Sequence, residues 1–405
     1  MPTALSTRQK TLRKQTKSLQ RAANGECVSI PVVSSCNKVC LQSAIARSTR
    51  RSKLRSTAEP TLLEDRAMSD MPDLHSNKEP FEVLFSPWRE DLAKRIIKRL
   101  HEKGAQVSYG KMKYITFSSG EILPDVPQSV RGKHVYFLHD LLAEDPNIAL
   151  MRYLLSADAL TRSDVASIIC VFPNIPYLRQ DRREPDERAS ISAAVVLRLI
   201  EESSPRIRTI ITYHMHAAQE TGFIRLPIAN IPGYVDHIRH LREERGEALA
   251  DAVIAAPDLG ASKYARRIRK TVGSRYQIAI VDKQRDKGAT RPLDVIGEPV
   301  KGRRVIMFDD IIDTGGSMIG AARRLQDEGA LDVELRCTHG LFNGDAIEKF
   351  RSAGLRVVML ETVSRPQSFY ESERSWLTIL PIDEMLSNAM HQTMQVGGSV
   401  SQLVR

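Results

Sequence analysis

The stretch FDDIIDTGGS, residues 308–317, closes an apolar run (Val305, Ile306, Met307, Phe308) with two adjacent carboxylates, Asp309 and Asp310. Asp313, Thr314, Gly315, Gly316 and Ser317 follow, and a helical pattern begins near Ser317. The order reads as strand, turn, helix. In that arrangement the backbone N–H groups of Thr314, Gly315, Gly316 and Ser317 converge at the positive end of a helix, a cradle suited to a phosphate monoester. The glycines permit positive φ and a close approach. Asp309 and Asp310 repel a phosphate, so they face something else: sugar hydroxyls, or a Mg²⁺ that holds them. Together the parts read as a site for a 5-phosphorylated ribose.

Outward from this stretch the chain alternates. Apolar runs at 168–172, 208–213, 252–256, 277–281, 305–308 and 355–360 read as buried parallel strands. Helical patterns lie between them, at 90–103, 189–202, 236–247, 261–272, 317–329 and 344–353. This is α/β architecture with right-handed crossovers. The body, about 300 residues, is large for one open sheet, and two successive α/β domains fit it better. The turn residues NIPGY near 230–234 mark the division.

Charge and cysteines bound the partners. Net charge is +10, and residues 1–60 carry all of it, with twelve Lys or Arg against two acids. The high pI therefore describes the tail and not the body, and no nucleic-acid partner is expected. Three readings of the tail stand open: a disordered arm, an organelle transit peptide, or a start placed upstream of Met68 or Met71. The expected compartment is the cytoplasm, or an organelle if residues 1–60 are a transit peptide. Five scattered cysteines (27, 36, 40, 170, 337) complete no zinc pattern and read as free thiols. No apolar run reaches membrane-spanning length, so no membrane partner is expected.

VIMFDDIIDTGGS resembles the phosphoribosyl-diphosphate (PRPP) loop of the type I phosphoribosyltransferase fold. Further motifs choose among enzymes of that fold. PYLRQDRR (176–183), HMHAAQETGF (214–223), APDLGASKYARRIRK (256–270), VDKQRD (281–286) and HGLFNG (339–344) follow in the order and spacing of the ribose-phosphate pyrophosphokinases. The likeness runs from about residue 83 to about 385.

The resemblance implies two tandem phosphoribosyltransferase-like domains, each a mainly parallel sheet flanked by helices, at 79–232 and 233–385. Residues 1–78 become an N-terminal extension and 386–405 a C-terminal tail. It implies transfer of a diphosphoryl group from ATP to the 1-hydroxyl of ribose 5-phosphate, giving PRPP and AMP. Asp309, Asp310, Asp313, Thr314, Gly315, Gly316 and Ser317 are then the ribose 5-phosphate site. Phe117, Glu121, Arg179, Gln180, Asp181 and Arg182 go to ATP, and His216 and Asp258 to Mg²⁺. Lys283 and Arg285, with His216, are the catalytic set, because two cations at a strand end suit charge stabilisation in phosphoryl transfer. The resemblance also implies a homo-oligomer, a hexamer of dimers.

Four positions depart from the family pattern. Ser119 stands in FSSGE where the family has an acid, and removes a carboxylate beside the adenine. His214 replaces the Asp before the metal histidine, Ala261 replaces a glycine, and Pro87 replaces the glycine of an early SGxxxxxLA segment. Rival readings are a non-catalytic regulatory subunit, a salvage phosphoribosyltransferase, and a nucleic-acid binder acting through its tail.

Overall fold

The central strands of the first sheet are rich in β-branched and aromatic residues, because a strand buried on both faces admits few polar side chains. The computed structural model describes residues 81–246, 252–273, 276–286 and 289–404. The N-terminal extension, with Cys27, Cys36 and Cys40, lies outside the described residues. Strands β1 (Phe81–Phe85) and β2 (Val107–Lys111) are followed by an antiparallel hairpin, β3 (Lys113–Thr116) and β4 (Ile122–Asp125). β5 (His134–Leu138), β6 (Ser167–Phe172), β7 (Ile207–Tyr213) and β8 (Ile228–Ile231) complete the sheet. Its order is β2-β1-β5-β6-β7-β8, and every pairing is parallel.

Helices α1 (Glu90–Glu102), α2 (Pro146–Arg162) and α3 (Ser192–Glu202) connect these strands. α1 turns Leu92, Ala93, Ile96, Ile97 and Leu100 inward as one stripe, with Glu90 and Asp91 at its positive end. α2 starts where Asp145 accepts hydrogen bonds from the N–H groups of Asn147 and Ile148, with Pro146 in its first turn.

α4 (Tyr234–Arg245) leads into the second sheet. β9 (Val253–Ala256), α5 (Ser262–Val272), β10 (Gln277–Asp286) and β11 (Ala289–Gly297) come first. β12 (Arg304–Ile312), α6 (Gly316–Asp327), β13 (Asp332–Gly340), α7 (Ala346–Ala353), β14 (Arg356–Leu360), α8 (Gln367–Glu373), β15 (Leu377–Leu380) and α9 (Asp383–Met394) follow. The order is β11-β10-β9-β12-β13-β14-β15, parallel except for β10 with β11. Among the described residues no helix is long and apolar enough to cross a membrane. Cys170 and Cys337 are free and buried.

Two features of the chain end correct the sequence reading. Residues 386–405 are not a tail: Leu386, Ala389, Met390 and Met394 of α9 are buried in the same core as Val83, Ile96 and Tyr136 of the first half. Arg95 and Arg99 of α1 pair with Asp383 at the start of α9. The reason is the apolar face of α9, which packs on α1 as well as on Val358, Leu360 and Leu380 of its own sheet.

In an open parallel sheet the crevice for a ligand opens where the strand order reverses. For the first sheet that point lies between β1 and β5, and it is filled. The short turn Pro87–Arg89 sets Arg89 against Asp140 at 2.8 Å, both side chains 2 % exposed. The same guanidinium donates to the carbonyls of Glu361 (3.2 Å) and Thr362 (2.7 Å), just past β14. Removing one partner of a buried pair leaves the other charge uncompensated. Arg89→Ala is therefore expected to lower stability by about 3–5 kcal/mol, read as a shift in the midpoint of urea unfolding.

Candidate active site

The second sheet keeps its crevice open. Its order reverses between β9 and β12, and the carboxyl ends of these strands carry Asp258 on one side and Asp309 and Asp310 on the other. β12 runs further than the apolar run suggests. Asp309, Ile311 and Ile312 still pair with Cys337, His339 and Gly340 of β13. The strand therefore ends at Ile312 and not at Phe308, because a long neighbouring strand supplies ladder partners past the polar residues. The turn shrinks to Asp313–Gly315, and α6 begins at Gly316.

Gly315 occupies the N-cap position of α6 with φ +76°. A Cβ there would fall 2.5 Å from Phe350 Cε2. Phe350 belongs to an aromatic floor, stacked on Trp376 and edge-on to Phe342, with ring centroids 5.6 Å apart in both pairs. The first N–H groups of α6 have no acceptor one turn earlier and face outward from this floor. Glycine at 315 is thus required twice, by its backbone angle and by the ring beneath it.

Two groups from the first half reach this turn. His216, beyond the end of β7, places Nδ1 2.5 Å from Asp310 Oδ2. Arg179, in the loop after β6, donates Nη1 to Asp313 Oδ2 at 2.6 Å. Asp313 Oδ1 accepts from Asn343 Nδ2 at 2.8 Å. His214 is half-buried, its Nδ1 2.6 Å from Thr338 Oγ1 and its carbonyl accepting from His339 Nε2. Its ring lies against Tyr264, centroids 4.4 Å apart. The residue that departs from the family pattern thus joins the ends of β7 and β13 as a neutral group; burial pulls its pKa down to about 4.

The electrostatics follow from crowding. Burial and the adjacent Asp310 charge push the Asp309 carboxyl well above the usual range, and Asp258 adds to the push. Burial also raises Asp310, but the hydrogen bond from His216 outweighs it and holds this carboxyl low. His216 is raised in turn, first by its hydrogen bond to Asp310. Asp310, hydrogen-bonded to His216, is thus favoured as the carboxylate over its neighbour Asp309.

A cleft of about 1170 Å³ lies over these groups. It gathers Arg179, Asp181, Arg182, His216, Asp258, Asp309, Asp310, Asp313, Thr314, Gly315 and Ser317. Other expected site residues lie elsewhere. Gln180 accepts from Ser192 Oγ at 2.5 Å and is not among the lining residues, nor is Gly316. Phe117 and Glu121 stand on the exposed tip of the β3–β4 hairpin and do not line the cleft of this chain. There Ser119 Oγ donates to Glu121 Oε2 at 2.7 Å, so the serine orients the remaining acid. The backbone of Lys283 and Arg285 lies in the last part of β10, paired with β11 past a register shift. Their side chains lie outside the described residues.

The sequence reading missed Lys263, Arg266 and Arg267, which line the cleft from α5. Their spacing of three and four residues on one helical face was the available signal. Among the described residues no three acidic, histidine or cysteine side chains are grouped to hold a metal unaided. The carboxylates still suit Mg²⁺, which keeps waters and is commonly held by one or two carboxylates with substrate phosphates. A cation near Asp258, Asp309 and Asp310 would relieve the repulsion that raises Asp309.

Comparison with known proteins supplies the family. Residues 83–204 match the N-terminal domain of ribose phosphate pyrophosphokinase, and residues 251–405 the phosphoribosyl synthetase-associated domain. The ribose-phosphate pyrophosphokinase of Ralstonia nicotianae is 34% identical over 274 residues, covering 67% of this chain and 82% of that protein. The chain belongs to the ribose-phosphate pyrophosphokinase family. A second member, from Cereibacter sphaeroides, is 34% identical over 317 residues, 77% of this chain and 91% of its own length. The crystal structure of phosphoribosylpyrophosphate synthetase from Mycobacterium smegmatis superposes with a TM-score of 0.67 at 28% identity, covering 77% of this chain and 98% of that one. The fold is therefore that of the PRPP synthetases, with mainly parallel sheets flanked by helices.

In this pyrophosphokinase-family chain the glycine turn is the most sharply constrained part of the site. Gly315→Ala is expected to weaken inorganic phosphate binding by about tenfold or more, since a left-handed alanine alone costs roughly 1–2 kcal/mol. Calorimetric titration with phosphate reads the loss.

Proposed function

We propose that this chain transfers a diphosphoryl group from ATP to the 1-hydroxyl of ribose 5-phosphate, forming PRPP and AMP. The observation that carries the reading is the meeting of two halves in one cleft. Arg179 and His216, from segments assigned to ATP, touch Asp313 and Asp310 of the turn assigned to the sugar phosphate.

In this reading the N–H groups around Gly315 and the start of α6 hold the 5-phosphate. Asp309 and Asp310 hold the ribose hydroxyls. Arg179 and Arg182 hold ATP phosphates, with Asp181 in the same wall. The sugar oxygen attacks the β-phosphorus, a new O–P bond forms, and the bond from the β-phosphorus to the α-phosphate oxygen breaks. AMP leaves with that oxygen, and the hydroxyl proton is released. Catalysis is positioning and charge neutralisation. Mg²⁺, held by Asp258 and His216 with the substrate phosphates, would supply charge neutralisation on the transferring group. Lys283 and Arg285 take the catalytic role. Lys263, Arg266 and Arg267 add positive charge to the wall that receives the polyphosphate.

Phe117 and Glu121 remain assigned to adenine. Their exposed hairpin, which also presents Ile115 and Leu123, supports self-association, because a second copy can bring the tip to a nucleotide that its own chain does not reach. A hexamer of dimers is the assembly proposed. The two sheets correspond to domains 79–232 and 233–385.

The test is to mix the full chain with Mg-ATP and ribose 5-phosphate and follow PRPP and AMP. Both products are expected in equal amounts; ATP binding without AMP release points to a regulatory subunit. Lys283→Ala is expected to lower turnover by about 10²–10³, the usual loss when one preorganised donor is removed, with the far-UV spectrum and melting profile unchanged.

A further inference from the structure

The HGLFNG segment received no role from the sequence. In the structure it is laced to the phosphate turn. Leu341 and Phe342 both direct N–H groups at the Ile312 carbonyl, at 2.8 and 3.3 Å. Asn343 N–H donates to the Asp313 carbonyl at 3.0 Å, and Asn343 Nδ2 to the Asp313 carboxylate at 2.8 Å. Phe342 is held at φ +46°, a region non-glycine residues seldom enter, and its ring joins the floor under Gly315. An acid one residue ahead of an anion cradle is an electrostatic contradiction unless its charge is turned aside. Both oxygens of Asp313 are engaged, one by Asn343 and one by Arg179.

We propose that Asn343 and Asp313 form a positioning clasp that sets the sugar-phosphate turn, with Asp313 serving the shape of the turn and not gripping the ribose. The inference rests on the ribose 5-phosphate assignment above and gives Asn343 a role that the sequence did not. Asn343 fixes the backbone and carboxylate of Asp313 together, so the N–H groups that follow point at the phosphate. Arg179 caps the outer oxygen, which links the turn to the nucleotide wall.

The experiment is a double-mutant cycle on the full chain, read by calorimetric Kd for ribose 5-phosphate and by steady-state kinetics. Asn343→Ala is expected to raise the Kd and KM for ribose 5-phosphate about tenfold, the size of one lost charge-assisted hydrogen bond. Turnover and KM for ATP stay within about twofold. In an Asp313→Ala background the same change adds less than about twofold, because the two residues act as one unit. An unchanged Kd, or effects that multiply in the double variant, overturns the clasp. If Asn343→Ala lowers the melting temperature too far for assay, Asn343→Leu, which keeps about the same size and removes the donor without adding a charge, decides by the same criteria. A wild-type chain that binds ribose 5-phosphate but yields no PRPP overturns the proposed activity while the calorimetric cycle still decides the clasp. Failure to bind the sugar phosphate overturns both.

Discussion

Two neighbouring, half-buried carboxylates on the floor of a cleft cannot both ionise easily without help, and much of the site follows from that constraint. Asp309 and Asp310 are fixed side by side because β12 keeps its ladder to β13 as far as Ile312. The help comes from outside the second sheet: His216, at the end of β7, bonds to Asp310. Charge compensation therefore requires the two sheets to face each other by their carboxyl ends. That facing in turn creates the cleft in which Arg179, His216 and the glycine turn share one volume.

The floor beneath the turn is as demanding as the charges above it. Gly340 and Gly315 each leave room for a ring: a Cβ on Gly340 would fall 2.7 Å from Phe342 Cε2, and one on Gly315 2.5 Å from Phe350 Cε2. The aromatic cluster thus reads out both loops at once. A shift in either displaces the first N–H groups of α6, so packing below and the geometry of the turn above are one arrangement.

Much of this was legible in the residues. The six apolar runs named from the sequence all coincide with strands, two of them (252–256 and 355–360) starting one residue early, since buried parallel strands leave an unbroken apolar signature. The glycine turn was legible because its chemistry is local. α2 was not, because Ile148 and Met151 remain exposed while Ala149, Leu150 and Tyr153 are buried, which blurs its period. The role of α9 was hidden for another reason: its apolar face is plain, but nothing local says which sheet receives it. The contact between Arg179 and Asp313 spans 134 positions, and no spacing rule reports a pairing of that kind. Asn343 escaped for the same reason, being meaningful only once β13 is laid beside β12.

The two sheets follow one plan, yet their reversal points have different fates. Between β9 and β12 the gap is open to solutes; between β1 and β5 it holds an arginine, an aspartate and two carbonyls from the other half. The chain is therefore functionally lopsided despite its internal resemblance. One pole is a receptacle and the other a rivet, so the joint between halves is anchored at a place where hinge motion would otherwise be easiest.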